Sequence, residues 1–144
     1  MNALFVDTAG WMSCADAADP DHTRSCTARD AALESGQTLI TTDFVVDETL
    51  TLLRMRLGGK AANAWWRLID ASDHLRWERV DPARFDRARE FFFKYSDKAF
   101  SFTDCTSFVI MKELRITIAL STDNHFTQAG FQILPLPRRN RQKR

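Results

Sequence analysis

Asp7, Glu48, Asp104 and Asp123 are the residues of this sequence best placed to do chemistry. Each also has an ordinary explanation. An acid at a helix N-terminus complements the helix dipole by about 0.3–1 kcal/mol, and an acid after a strand is often a turn residue. Helical spacing sets two of them apart, because side chains at i, i+4 and i+7 share a face. Around Glu48 that face carries Phe44, Leu52 and Met55, whereas its neighbour Asp47 lines up with Thr51 and Arg54. Around Asp104 the same spacing selects Phe108 and Met111. A carboxylate on an apolar stripe is costly without a partner, and no basic residue lies on either stripe. A cation from elsewhere in the chain is one possible partner, and a metal ion is the sharper one. Four carboxylates gathered in one place repel one another by about 4 kcal/mol per pair at ~4 Å and an effective dielectric of ~20, so they protonate or bind cations. Oxygen ligands select hard divalent ions such as Mg²⁺ or Mn²⁺ rather than Zn²⁺. Such a site leaves room for water and phosphate oxygens, the setting of metal-assisted phosphodiester hydrolysis.

The elements that must position these acids alternate along the chain. Residues 3–6 read as a strand buried on both faces, with Asp7 at its end. A short helix over 8–15 follows, and Asp19-Pro20 reads as a cap with proline at the first helical position, opening a helix to about Ser35. A strand over 38–41 leads to Asp43, which can cap a helix over 44–57 that Gly58-Gly59 ends. Helices are expected over 60–71, 82–95 and 103–114, the last capped by Thr103. Strands are expected over 75–80, 116–120 and 131–134. Strand–helix alternation implies a mainly parallel sheet with helices on both faces, and ligands bind outside the carboxyl ends of such strands.

The 144 residues suit one domain. Apolar residues make up 44% and charged residues 27% of the chain, which excludes wholesale disorder. The net charge of +1 hides a split. Residues 138–144 hold five basic side chains and no acid, leaving 15 basic against 19 acidic residues in 1–137, a body of −4. The expected organisation is a domain over 1–137 and a disordered basic tail over 138–144. No run is long and apolar enough to span a membrane, and the N-terminus lacks a secretory pattern. Cys14, Cys26 and Cys105 have no paired spacing, so they read as small buried apolar residues in a reducing cytoplasm.

Four segments resemble PIN domains: Phe5-Val6-Asp7-Thr8, Thr41 to Leu50 with its central Glu48, Ser101-Phe102-Thr103-Asp104-Cys105, and Ser121-Thr122-Asp123-Asn124-His125-Phe126. They occur in family order across residues 3–135. The resemblance implies a three-layer α/β/α fold with a mainly parallel central sheet, and RNA cleavage dependent on Mg²⁺ or Mn²⁺. Carried over position by position, Asp7, Glu48, Asp104 and Asp123 match the family's acids, and Thr103 and Thr8 match supporting hydroxyls. Asp7, Glu48 and Asp104 would anchor one ion, with Asp123 aiding a second ion or a water ligand, and no histidine base is then required. Ala9 departs from the serine or asparagine that often follows the first aspartate by two residues. The compact form most resembles the toxins of VapBC toxin–antitoxin systems, which implies an RNA substrate, a homodimer and a small antitoxin that covers the site. The alternatives are a housekeeping RNA-processing nuclease and a catalytically dead binding module. A phosphoacceptor signalling domain would need a lysine after a late strand, where Ser121-Thr122-Asp123 stands.

The remaining expectations concern substrate and packing. Arg24, Arg29, Arg54, Arg56, Lys60 and Arg67 are candidates for a phosphate-contacting rim, and the tail for non-specific phosphate contacts. His125 is expected to pack near the last strand. Trp65 and Trp66 cannot share a helix face, so one belongs to the core and the other to a surface.

Overall fold

The computed structural model describes residues 2–138. β1 (Ala3–Val6) is the central strand of a five-stranded parallel sheet. The others are β2 (Thr38–Thr42), β3 (Leu75–Glu78), β4 (Ile118–Leu120) and β5 (Gln132–Leu134), in the order β3-β2-β1-β4-β5. Seven helices flank it: α1 (Thr8–Ala15), α2 (His22–Glu34), α3 (Asp43–Leu57), α4 (Gly59–Asp70), α5 (Pro82–Lys94), α6 (Phe102–Glu113) and α7 (His125–Gln128). The α/β architecture expected from the alternation is therefore the one observed.

The topology dictates where a site can form. Strand order runs outward in both directions from β1, and the reversal lies between β1 and β4, where a crevice opens at the strands' carboxyl ends. The register Phe5↔Ala119 and Val6↔Leu120 brings Asp7 beside Ser121. Gly10 permits the close packing of α1 there: a Cβ at this position would sit 2.1 Å from the Leu120 carbonyl oxygen. Beneath the crevice, Phe5, Phe108 and Phe126 are fully buried, with Phe108 edge-on to Phe126 at 4.9 Å. Asp104 thus starts a helix whose next two turns, Phe108 and Met111, are fixed in the core.

Several element ends differ from the sequence expectation, each for a local reason. α2 begins at His22, because Asp19 Oδ1 instead accepts from the Asp21 amide at 2.8 Å and makes a turn around Pro20. Thr42, not Asp43, caps α3 by accepting from the Val45 amide at 3.0 Å. Asp43 reaches across to the Val80 amide, also at 3.0 Å, and β3 stops at Glu78. Ser101, not Thr103, caps α6. The apolar stripe drawn through Glu48 ends early, since Met55 is 77% exposed, while Asp47, Thr51 and Arg54 are exposed as expected. Trp65 is buried and Trp66 is 37% exposed. The three cysteines are unpaired; Cys105 is buried, but Cys14 and Cys26 are only half-buried. No helix among the described residues is long and apolar enough to cross a membrane. Of the expected tail, Arg138 is bound to the body by a 2.8 Å pair with Asp21, and residues 139–144 lie outside the described residues.

Candidate active site

A cavity of about 360 Å³ opens at the crevice between β1 and β4. Its walls bring together all four acids singled out in the sequence, Asp7, Glu48, Asp104 and Asp123. Thr8 also lines it, and Thr103 does not. The backbone explains each placement. Asp7 is the residue between β1 and α1, and its amide donates to the Leu120 carbonyl at 3.2 Å. Asp104 is the third residue of α6 and closes a reciprocal capping box with Ser101: the Asp104 amide donates to Ser101 Oγ at 2.9 Å, and the Ser101 amide to Asp104 Oδ2 at 3.0 Å. Asp123 lies in the turn after β4, where its Oδ1 accepts from the His125 amide at 2.9 Å. Glu48 reaches the cavity from the second turn of α3.

Burial and mutual repulsion shape the electrostatics. Asp7 is 3% exposed, and its hydrogen-bond partner is a neutral hydroxyl, Ser121 Oγ, at 3.0 Å. Burial first, and then the neighbouring Asp104 carboxylate, push the Asp7 carboxyl up to about 7 from an ordinary 3.8. Burial likewise raises Asp104, against the opposing hydrogen bond from the Ser101 amide. Glu78, a buried acid outside the cavity, has guanidinium partners instead, Arg76 at 2.8 Å and Arg84 at 3.0 Å. The acids of the cavity are therefore short of positive charge by comparison.

Sequence reasoning missed several members of this constellation. His125 does not merely pack near β5: its Nδ1 lies 2.9 Å from Asp104 Oδ2 and 3.2 Å from Asp123 Oδ2. Asp104, Asp123 and His125 each offer an atom within 4.8 Å of the others, a grouping able to hold a metal ion. Ser121 also bridges two acids, donating to Asp7 and accepting from the Asp123 amide at 3.0 Å. It gives Asp7 a hydroxyl partner although Ala9 has none to offer. The Ser-x-x-Asp spacing of Ser101 was a readable capping signal; the Ser121 contact is long-range and had none. Arg56, two turns beyond Glu48, reaches the same cavity and qualifies the expectation that no base shares that side of the helix.

A PIN-domain family model matches residues 4–132. The chain belongs to the PIN-domain family. The PIN domain is also 34% identical over 128 residues to the 23S rRNA-specific endonuclease VapC20 of Mycobacterium tuberculosis, covering 89% of this chain and 95% of that protein. The crystal structure of VapC20, described as a sarcin-ricin loop cleaving toxin, superposes with a TM-score of 0.80 at 31% identity, over 90% of this chain and 96% of that one. FitAcB from Neisseria gonorrhoeae shares the fold, with a TM-score of 0.65 at 16% identity over 90% of this chain and 95% of that one. This PIN domain is thus a VapC-like ribonuclease. A larger, mostly apolar cleft of about 560 Å³, lined by Trp11, Trp65 and Leu68 among others, carries one acid, Asp30, which pairs with Arg29 at 3.0 Å. It has no convergent carboxylates.

Proposed function

We propose that this protein is the endoribonuclease toxin of a type II toxin–antitoxin system, working in the cytoplasm, and that Asp7, Glu48, Asp104 and Asp123 hold its divalent ions. The convergence of these four acids in one 360 Å³ cavity at the sheet's switch point carries this reading. The donor set suits a hard divalent cation: three buried or half-buried groups converge within 4.8 Å, burial and the Asp104 carboxylate push the Asp7 carboxyl up to about 7, and the buried Thr8 hydroxyl has no partner. When bound, Mg²⁺ or Mn²⁺ supplies activation of the attacking water and neutralisation of the phosphate.

The protein's own residues do the rest. Ser121 and the Ser101 amide orient Asp7 and Asp104. Asp123 fixes the start of α7 and so the His125 ring, which stands between Asp104 and Asp123. His125 is a positioning residue in this scheme, and proton transfer is left to water. Met12 and Leu52 give the cavity apolar walls, and Arg56 adds a cation able to meet a phosphate. The action of VapC20 on 23S rRNA makes ribosomal RNA the first substrate to try. A small antitoxin protein and a second copy of the chain complete the proposed assembly; co-expression with any small reading frame found beside its gene and size-exclusion chromatography test them.

The decisive assay incubates the purified protein with ribosomal RNA and Mg²⁺ or Mn²⁺. Cleavage is expected with metal, and its loss is expected in EDTA and in Asp7→Asn. Losing one ligand of this kind should slow turnover at least a hundredfold, by analogy with the removal of one preorganised electrostatic group. Cleavage that persists in both controls would sink the carboxylate–metal mechanism.

A further inference from the structure

A second cleft, of about 310 Å³, adjoins the acidic cavity through a shared wall residue, Thr122. Asn124, its neighbour in the same turn, lines this cleft and stands between Asp123 and His125 in the chain. The charge changes sign across that wall. In the second cleft Asp21 is gripped by two arginines, Arg24 Nη1 at 3.0 Å and Arg138 Nη2 at 2.8 Å. Arg24 also donates to the Leu136 carbonyl, and Arg138 to the Pro20 carbonyl at 3.0 Å. The two guanidiniums are thereby held side by side while both stay open to solvent, with side-chain exposures of 39% and 61%. Thr127 adds a hydroxyl to the lining. The chain beyond Arg138 contributes four more basic residues and no acid.

We propose that this cleft is an RNA-binding subsite, in which Arg24 and Arg138 take a backbone phosphate of the strand flanking the scissile bond. The inference rests on the ribonuclease reading above. An acidic cavity must receive a polyanion, and a strand threaded through it leaves past Thr122 into a place that offers positive charge. Arginine forks match phosphate geometry bidentately, and Thr and Asn side chains are common phosphate and sugar donors. Asp21 occupies the place of the phosphate in the free protein: its Oδ1 holds both guanidiniums and yields when a phosphate competes. Asp21 is therefore a brake on RNA binding, although it is an acid far from the metal ligands in sequence.

The test measures binding of a fluorescein-labelled single-stranded oligoribonucleotide by anisotropy, in EDTA, across a salt series. Arg24→Ala and Arg138→Ala should each weaken binding several-fold and flatten the slope of log K against log salt by about 0.7, the value for one lost single-strand phosphate contact. Arg24→Lys, which keeps the charge but not the fork, should restore the salt slope and only part of the affinity. Asp21→Asn should tighten binding, which a merely structural role for Asp21 would not produce. Wild-type affinity and slope in both arginine variants, or no RNA binding by the wild type, would overturn the subsite. Cleavage of the same RNA by the wild type with Mn²⁺ is scored separately: failure there, with the binding pattern intact, overturns the enzymatic reading and leaves the subsite supported.

Discussion

Asp7 is the side chain on which burial and charge repulsion act together, and pH reads out both. Its carboxyl titrates near 7 in the fold without metal and near 3.8 when exposed. Between these values the folded chain keeps a proton that the unfolded chain has released. The stabilisation from this group is therefore complete below about pH 3.8 and is lost as pH rises through 7, a change of roughly 4 kcal/mol if the whole interval is realised. In EDTA, the melting temperature of the wild type should fall relative to that of Asp7→Asn as pH rises from 4 to 8. A gap between the two proteins that stays constant over that range would show that Asp7 is an ordinary carboxylate. The same proton competes with a cation, so ion binding should weaken below pH 7. How much of the site was legible also shows at this scale. The four acids could be named because each occupies a distinct position relative to a strand end or a helix start. Ser121 and His125 could not be given their partners, since the Asp7–Ser121 and Asp104–His125 contacts join residues 114 and 21 positions apart.

The elements place these side chains through a few capping contacts, and α6 offers the sharpest comparison. The sequence suggests Thr103 as its cap, whereas Ser101 performs that role and shares it reciprocally with Asp104. Ser101→Ala removes the 2.9 Å bond to the Asp104 amide and should cost about 1 kcal/mol, a fall in melting temperature of roughly 2–4 °C for a domain of this size. Thr103→Ala should stay within about 0.5 kcal/mol, because the helix takes no cap from it. Thermal melts of the two variants settle which residue starts the helix; a larger loss at Thr103 would reverse the assignment. The strand–helix alternation was readable because β1 is a short apolar run, β2 is rich in β-branched residues, and the long helices keep buried residues. The ends were less so. Asp19-Pro20 fits a turn as well as a helix start, and the choice is made by Asp19 bonding to the Asp21 amide and to Ser13 Oγ at 3.2 Å, the latter across two elements. α7 is four residues long, too short for any periodic signal.

At the scale of the whole molecule, the +1 total conceals where the charge lies. The acidic excess of the body includes five carboxylates that line one cavity, Asp19 beside the four proposed ligands, while Arg24 and Arg138 stand in the next cleft. Repulsion stored in the cavity makes the fold responsive to divalent cations in particular. A ligand present at about a hundred times its dissociation constant adds about 2.7 kcal/mol to stability, which corresponds to a rise of roughly 5–10 °C in Tm here. Mn²⁺ or Mg²⁺ should therefore raise the wild-type Tm at neutral pH, and NaCl at matched ionic strength should not, because screening between groups so buried is weak. Glu48 supplies the discriminating variant. It reaches the cavity from α3, a different element from those that carry the other three acids, so Glu48→Gln removes a negative charge without disturbing the Asp7–Ser121 or Asp104–His125 contacts. If Glu48 is a ligand, this variant should start from an equal or higher Tm in EDTA, since repulsion is relieved, and gain less from Mn²⁺. A response as large as that of the wild type would remove Glu48 from the ion-binding set while leaving the three aspartates in it.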